Sequence, residues 1–167
     1  MDEAWIERWR EEMRTGARRL LATFEARAGF PPGGHEISGP ATAAELAGLA
    51  ELHGEALPAG LVAFYRVVAE VQLPDVGNGY WLHRPPLPGE DPGFPRLLSD
   101  GRAIVVFGTD GGGALYALPA GTDAPVLRLA DGEWVGAAYD ADCAAEAAPD
   151  LTAFLAFLRH ELGLHAP

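Results

Sequence analysis

Apolar positions along the chain follow two different rhythms. Trp5, Trp9, Met13, Leu20 and Phe24 recur at steps of four and seven, which predicts one amphipathic helix over about residues 3–28. Gly29 and the pair Pro31–Pro32 end it. Its polar face mixes both charge signs, so the stripe is expected to pack on the domain and not on a membrane. Residues 29–41 read as loop. Thr42 and Glu45 have the spacing of a capping box and open a short helix to about Leu52. Leu57–Pro58 starts a third helix, since proline fits a first helical turn. Leu61, Phe64, Tyr65, Val68 and Val71 give that helix its apolar face, and Pro74 with Gly77–Asn78–Gly79 ends it.

From Tyr80 the rhythm shortens to strand-like runs. These are Tyr80–His83, Ala103–Phe107, Ala114–Leu118, Val126–Leu129 and Glu133–Val135. The proline-rich stretch RPPLPGEDPGFPRLLSDG separates the first two as an irregular loop, with Arg96–Leu98 as a possible brief element. Asp131–Gly132 is placed to join two runs in a tight hairpin turn. Asp150 then caps a last helix whose face is Leu151, Phe154, Leu155, Leu158 and Leu162. This order predicts an α+β fold in one domain. An antiparallel sheet of about five to six strands carries N-terminal helices and a C-terminal helix. An amphipathic helix within residues 1–30 precedes an α+β unit over residues 40–162.

A chain of 167 residues is long enough to bury a full core without staples. Its 49% hydrophobic and 22% charged residues are ordinary for a globular protein. One cysteine, Cys143, excludes an internal disulfide and agrees with a reducing compartment. The N-terminal MDEAWIERWREEMR has no apolar signal core, so the expected location is the cytoplasm. Net charge is −12. Residues 1–30 balance six acids against six arginines, so the rest carries 18 acids against six arginines. Such a field repels nucleic acid and draws in a basic partner. Every basic residue is arginine, a coding bias of a GC-rich genome.

The stretch VVFGTDGGGALYALP, Val105 to Pro119, holds four glycines between Gly108 and Gly113. A phosphate loop needs a lysine and a following helix, and here Ala-Leu-Tyr-Ala-Leu follows and no lysine exists. A dinucleotide fingerprint fails too, because Tyr116 stands at its third glycine. The stretch predicts a β-hairpin with Asp110–Gly111 in the turn. His160-Glu-Leu-Gly-Leu-His165 spaces its histidines five apart, where a zinc helix needs four. Asp140 and Asp142 lack the remaining calcium ligands, since Ala144 stands at the next position; they read as closing a turn. Ser38 and Ser99 sit in no nucleophile elbow, and Cys143 has no adjacent histidine. No catalytic residue, cofactor or metal is therefore expected. Tyr80, Trp81 and Trp134, with Asp110, Asp131, Glu133, Asp140 and Asp142, form the expected partner-binding set of aromatic anchors among acids.

Together, the Leu57–Pro58 helix, IVVFGTDGGGALYALP, APVLRL and the terminal LTAFLAFLRHEL resemble the SUKH superfamily of Smi/Knr-type domains over about residues 40–162. Gly108–Gly113 matches that superfamily's glycine turn between strands. Its members include bacterial toxin-immunity proteins and fungal regulators of cell-wall synthesis. The resemblance implies a non-enzymatic protein-binding domain that masks a toxin, nuclease- or deaminase-like, in the cytoplasm. An intracellular scaffold with an endogenous partner is the alternative, and an unrecognised carboxylate enzyme a third reading.

Overall fold

The computed structural model describes residues 2–166. Its helices are α1 (Glu3–Ala28), α2 (Ala43–His53), α3 (Ala59–Tyr65) and α4 (Leu151–His165). Its strands are β1 (Glu36–Ile37), β2 (Val71–Leu73), β3 (Tyr80–Leu82), β4 (Ile104–Asp110), β5 (Leu115–Pro119), β6 (Val126–Leu129), β7 (Trp134–Val135), β8 (Ala138–Tyr139) and β9 (Ala144–Ala148). The fold is α+β. Seven strands form one antiparallel sheet in the order β1-β2-β3-β4-β5-β6-β9, and β7 and β8 form a separate ribbon. The sheet exceeds the expected five to six strands because β1, β2 and β9 extend it.

The helix ends obey local chemistry. Asp2 accepts from the Trp5 amide at 2.7 Å and opens α1, and Gly29 closes it at φ 80°. Thr42 and Glu45 make both bonds of the capping box. Asp150 accepts from the Ala153 amide at 2.7 Å. The buried stripe of α1 is Ile6, Trp9, Met13, Ala17 and Leu20, and it enters the same core as α3, α4 and one sheet face. Trp9 donates its indole N–H to the Leu155 carbonyl at 2.7 Å, a buried bond that fixes α1 on α4. No helix among the described residues is long and apolar enough to cross a membrane.

Side chains alternate across the sheet as strand geometry requires. Val105, Phe107, Tyr116, Leu118 and Val126 face the helices, whereas Ile104, Ala117, Leu127 and Leu129 meet Leu98 in a smaller core on the other face. That second face is covered by irregular chain, from the proline-rich loop and the β7–β8 segment.

Two expectations are corrected. The third helix stops at Tyr65, and Val71 lies in β2 paired with Leu82 and Ile37. Val67 and Val68 lie in the turn that follows α3, while the β-branched Val71 fits a buried strand as well as a helix face and is taken by pairing with β3. Asp131–Gly132 does not close a hairpin on β6. Asp131 adopts φ 58° and turns the chain outward into the ribbon, while β6 pairs with β9.

The glycine segment is a hairpin turn, and Asp110 organises it. Asp110 Oδ1 accepts from the amides of Gly112 (2.9 Å) and Ala114 (3.0 Å). Its Oδ2 takes two N–H groups of Arg128 on β6, at 3.1 and 2.7 Å. The Gly111 amide reaches the Asn78 carbonyl at 3.0 Å, and a Cβ there would overlap that oxygen, so only glycine lets the two turns meet. Burial alone would push the Asp110 carboxyl up, but Arg128 and the two turn amides outweigh it and hold it below the usual carboxylate range.

We expect Asp110→Ala to lower stability by about 3 kcal/mol, because Arg128 and two amides lose their acceptor. Asp110→Asn keeps an acceptor and loses less. The folded carboxyl titrates below its unfolded value near 4, so its contribution is complete above about pH 4 and fades as pH falls through the folded value. Urea midpoints measured over that range should fall more steeply for the wild type than for Asp110→Asn.

Candidate partner-binding surface

The eight residues singled out from sequence separate into two groups. Tyr80 and Asp110 stand opposite each other across β3 and β4, both buried, on the sheet face that carries α4. The Tyr80 ring meets Phe157 edge-on at 5.9 Å. Its hydroxyl is pushed up to about 12, by burial first and by the nearby Tyr116, Glu161 and Asp110. Trp81 is half-buried and packs over Gly79 and Gly111. Its register row continues through Thr109, Leu115, Leu129 and Ala144, which places it on the opposite face.

Asp131, Glu133, Trp134, Asp140 and Asp142 come together in the excursion between β6 and β9. Trp134 pairs with Tyr139 across the ribbon, their rings edge-on at 5.9 Å. Trp134 and Val135, successive residues of β7 on opposite faces of the ribbon, are each 54% exposed. The ribbon is nevertheless held. The Tyr139 hydroxyl donates to the Gly132 carbonyl at 2.7 Å, and its amide donates to the Leu97 carbonyl at 2.8 Å. The Ser99 amide donates to the Tyr139 carbonyl at 2.8 Å, and Ser99 Oγ accepts from Ala141 at 3.0 Å. Asp140 closes a turn, as expected, by accepting from the Asp142 amide at 3.0 Å. Cys143 gives its S–H to the Asp140 carbonyl at 2.8 Å, and burial with Asp140 nearby pushes the thiol up, away from a reactive thiolate.

Charge along the ribbon's own segment is one-sided, whereas the chain bonded to it, Leu97 to Ser99, is flanked by Arg96 and Arg102, which pair with Asp91 and Asp100. Between Arg128 and Arg159 the chain has six acidic residues and no basic one. The exposed Trp134 thus stands on a segment whose charged residues are all acidic, which is the composition of an apolar anchor with a polar border.

Sequence reasoning missed a second feature. The loop after β3 folds back over α2 and closes a cleft of about 290 Å³. Leu49, Leu52, Phe94 and Val106 supply apolar walls, and His53, His83 and Arg96 enter among them. His83 stacks on Phe94 with ring centroids 5.0 Å apart and 24° between planes. Tyr65 donates its hydroxyl to the His83 carbonyl at 2.9 Å. Burial lowers the imidazole of His83 against the opposing pull of Glu70. Burial and then Arg96 lower that of His53, against Asp91. Both rings are therefore neutral near pH 7. Arg84 anchors the loop by reaching Glu45 at 2.9 Å and Glu70 at 3.2 Å. The only sequence signal was the proline density between His83 and Arg96, which marks a stiff strap. No group of three or more His, Cys, Asp or Glu side chains among the described residues is placed to hold a metal ion.

The strap rests directly on Gly48 of α2, where a Cβ would overlap the Pro86 carbonyl and lie 2.7 Å from the Pro88 nitrogen. Gly48→Ala should therefore lower stability by about 1–3 kcal/mol despite alanine's better helix propensity. Urea unfolding measures the loss, and amide shifts confined to the strap and α2 locate it. Neither a scan against protein-family models nor a search of curated proteins returns a match for this chain.

Proposed function

We propose that this chain is a non-enzymatic protein-binding domain of the immunity type, acting in the cytoplasm. It seats a basic partner, a toxin domain of nuclease or deaminase character, on the ribbon face and masks it. The observation that carries this reading is the β7–β8 ribbon, which exposes Trp134 on a segment whose charged residues are all acidic. Solvating a tryptophan to that extent is unfavourable in a free monomer, and its burial against a partner recovers the apolar area. The acids of that segment steer a basic partner and reject acidic ones, nucleic acid included. The resemblance of Gly108–Gly113 and its flanking elements to the SUKH superfamily supplies the toxin as the partner class.

Co-expression with the toxin encoded beside its gene is expected to restore growth. The double variant Trp134→Ala/Val135→Ser, unchanged in far-UV circular dichroism, should fail to protect. Its affinity for the purified toxin domain should fall at least about thirtyfold, corresponding to about 2 kcal/mol at a hot spot. Full protection by the double variant overturns the surface. No protection by the wild type against any adjacent candidate overturns the immunity reading. Capture of an endogenous partner from unstressed cells, with no toxin gene nearby, favours the scaffold alternative.

A further inference from the structure

We propose that β9, the outer strand of the sheet, takes up an extended segment of a basic partner as a further strand. The sheet order ends at β9, so its side away from β6 has no strand. Ala145, Glu146 and Ala147 are exposed there. The ladder assigns the free groups. The Ala130 amide donates to the Cys143 carbonyl, Leu129 faces Ala144 and Arg128 faces Ala145. By the antiparallel alternation, the backbone of Ala145 turns toward β6, and the N–H and C=O of Glu146 turn outward. The Ala144 carbonyl turns outward with them, while its amide bonds the Ala141 carbonyl at 3.1 Å. The opposite edge of the sheet is closed, because Arg14 of α1 donates to the outer carbonyl of Ile37 at 3.1 Å. Among the described residues, no side chain does the same for β9.

Charge and shape choose the occupant. Glu146 is the one charged residue of β9, and among the described residues it makes no ion pair. The chain from Ala130 to Leu158 has no basic residue, and Arg128, across the ladder from Ala145, is already held by Asp110. A second copy of this chain is the wrong occupant. An antiparallel β9–β9 pair centred on Glu146 sets two carboxylates opposite each other, in chains of net charge −12. A basic residue in the same place turns that repulsion into attraction. Glu146 pairs with Leu127 and stands on the ribbon side of the sheet, whereas Ala145 and Ala147 stand on the α4 side. On the α4 side, Ala147 borders a cavity of about 320 Å³ walled by Tyr80, Tyr116, Phe154 and Phe157. The added strand therefore carries a basic residue opposite Glu146, flanked by apolar residues directed toward that aromatic wall. This inference rests on the basic-partner reading for the occupant's charge and adds to it the backbone geometry of the contact.

The probe is the acetylated heptapeptide amide KVKVKVK, titrated into the ¹⁵N-labelled full chain. Shift changes should centre on Ala144–Ala148, and exchange of the Glu146 amide should slow at least about fivefold at saturation, because that N–H gains an acceptor. N-methylation of the central lysine removes one ladder donor and keeps the charge, so it should weaken binding about tenfold. Glu146→Gln should weaken both peptides about threefold and preserve their ratio. Glu146→Pro removes an outward N–H, which an edge strand tolerates, and should abolish binding while the Ala145 amide stays protected. The proposal is overturned by shifts elsewhere, by an unprotected Glu146 amide or by equal binding of the two peptides. Shifts of the same amides with protein concentration alone overturn it too, since they make a second copy the occupant. None of these outcomes involves Trp134 or a toxin, so failure here is distinct from failure of the co-expression test.

Discussion

The buried carboxylate of Asp110 is the contact on which the centre of the sheet depends. Taking an ionised carboxylate out of water is costly unless its oxygens are fully engaged. Here one oxygen holds two amides of the glycine turn and the other holds Arg128, so one side chain ties β4, the turn and β6 together. The glycines around it let the neighbouring Asn78 turn approach within hydrogen-bond distance. What resembles a phosphate cradle in sequence is therefore an inward-facing acceptor site. Its turn amides are already satisfied by a carboxylate of the chain itself.

With the central strands fixed, the sheet presents two unlike faces. The helix face is built from periodic segments and closes through aromatic packing, with Phe154 edge-on to Phe107 at 5.6 Å and Trp9 edge-on to Phe64 at 5.8 Å. The other face is closed by chain without regular structure. One loop serves it twice. Its first part, His83 to Arg96, forms the cleft against α2, and its end, Leu97 to Ser99, carries the backbone bonds that hold β8. Prolines stiffen this loop where a sheet or helix would otherwise supply rigidity. The ribbon that carries the proposed function hangs on it.

The helices were legible because their signals are local. Caps at Thr42 and Asp150, and stripes at a period near 3.6, need no knowledge of the rest of the chain. β4 and β5 were legible for the same reason. β9 was not, because AAEAA carries helix-favouring alanines and becomes a strand only through the free edge of β6. Val71 misled in the opposite direction. At the candidate surface, the cluster of acids with Trp134 could be read from composition, since those residues are close in sequence. Charge alone groups Asp110 with them, and only its pairing with Arg128 shows that it faces inward. The cleft was invisible because His53, His83 and Arg96 meet only after the loop wraps over α2.

The distribution of ion pairs separates acids that serve the fold from acids that do not. Glu45, Glu70 and Asp110 are engaged by arginines in the body of the domain, and Glu12 of α1 meets Arg159 of α4 at 2.6 Å. Among the described residues, none of the six acids between Arg128 and Arg159 makes a salt bridge. Asp150 caps a helix and Asp140 closes a turn, but Asp131, Glu133, Asp142 and Glu146 accept no side-chain hydrogen bond. Their mutual repulsion opposes compaction and contributes nothing to the fold. Solubility accounts for acids spread over a surface. It does not account for an exposed tryptophan on the same acidic segment, since the exposed ring works against solubility. On the proposed reading, a basic partner neutralises these acids and buries the ring in the same step.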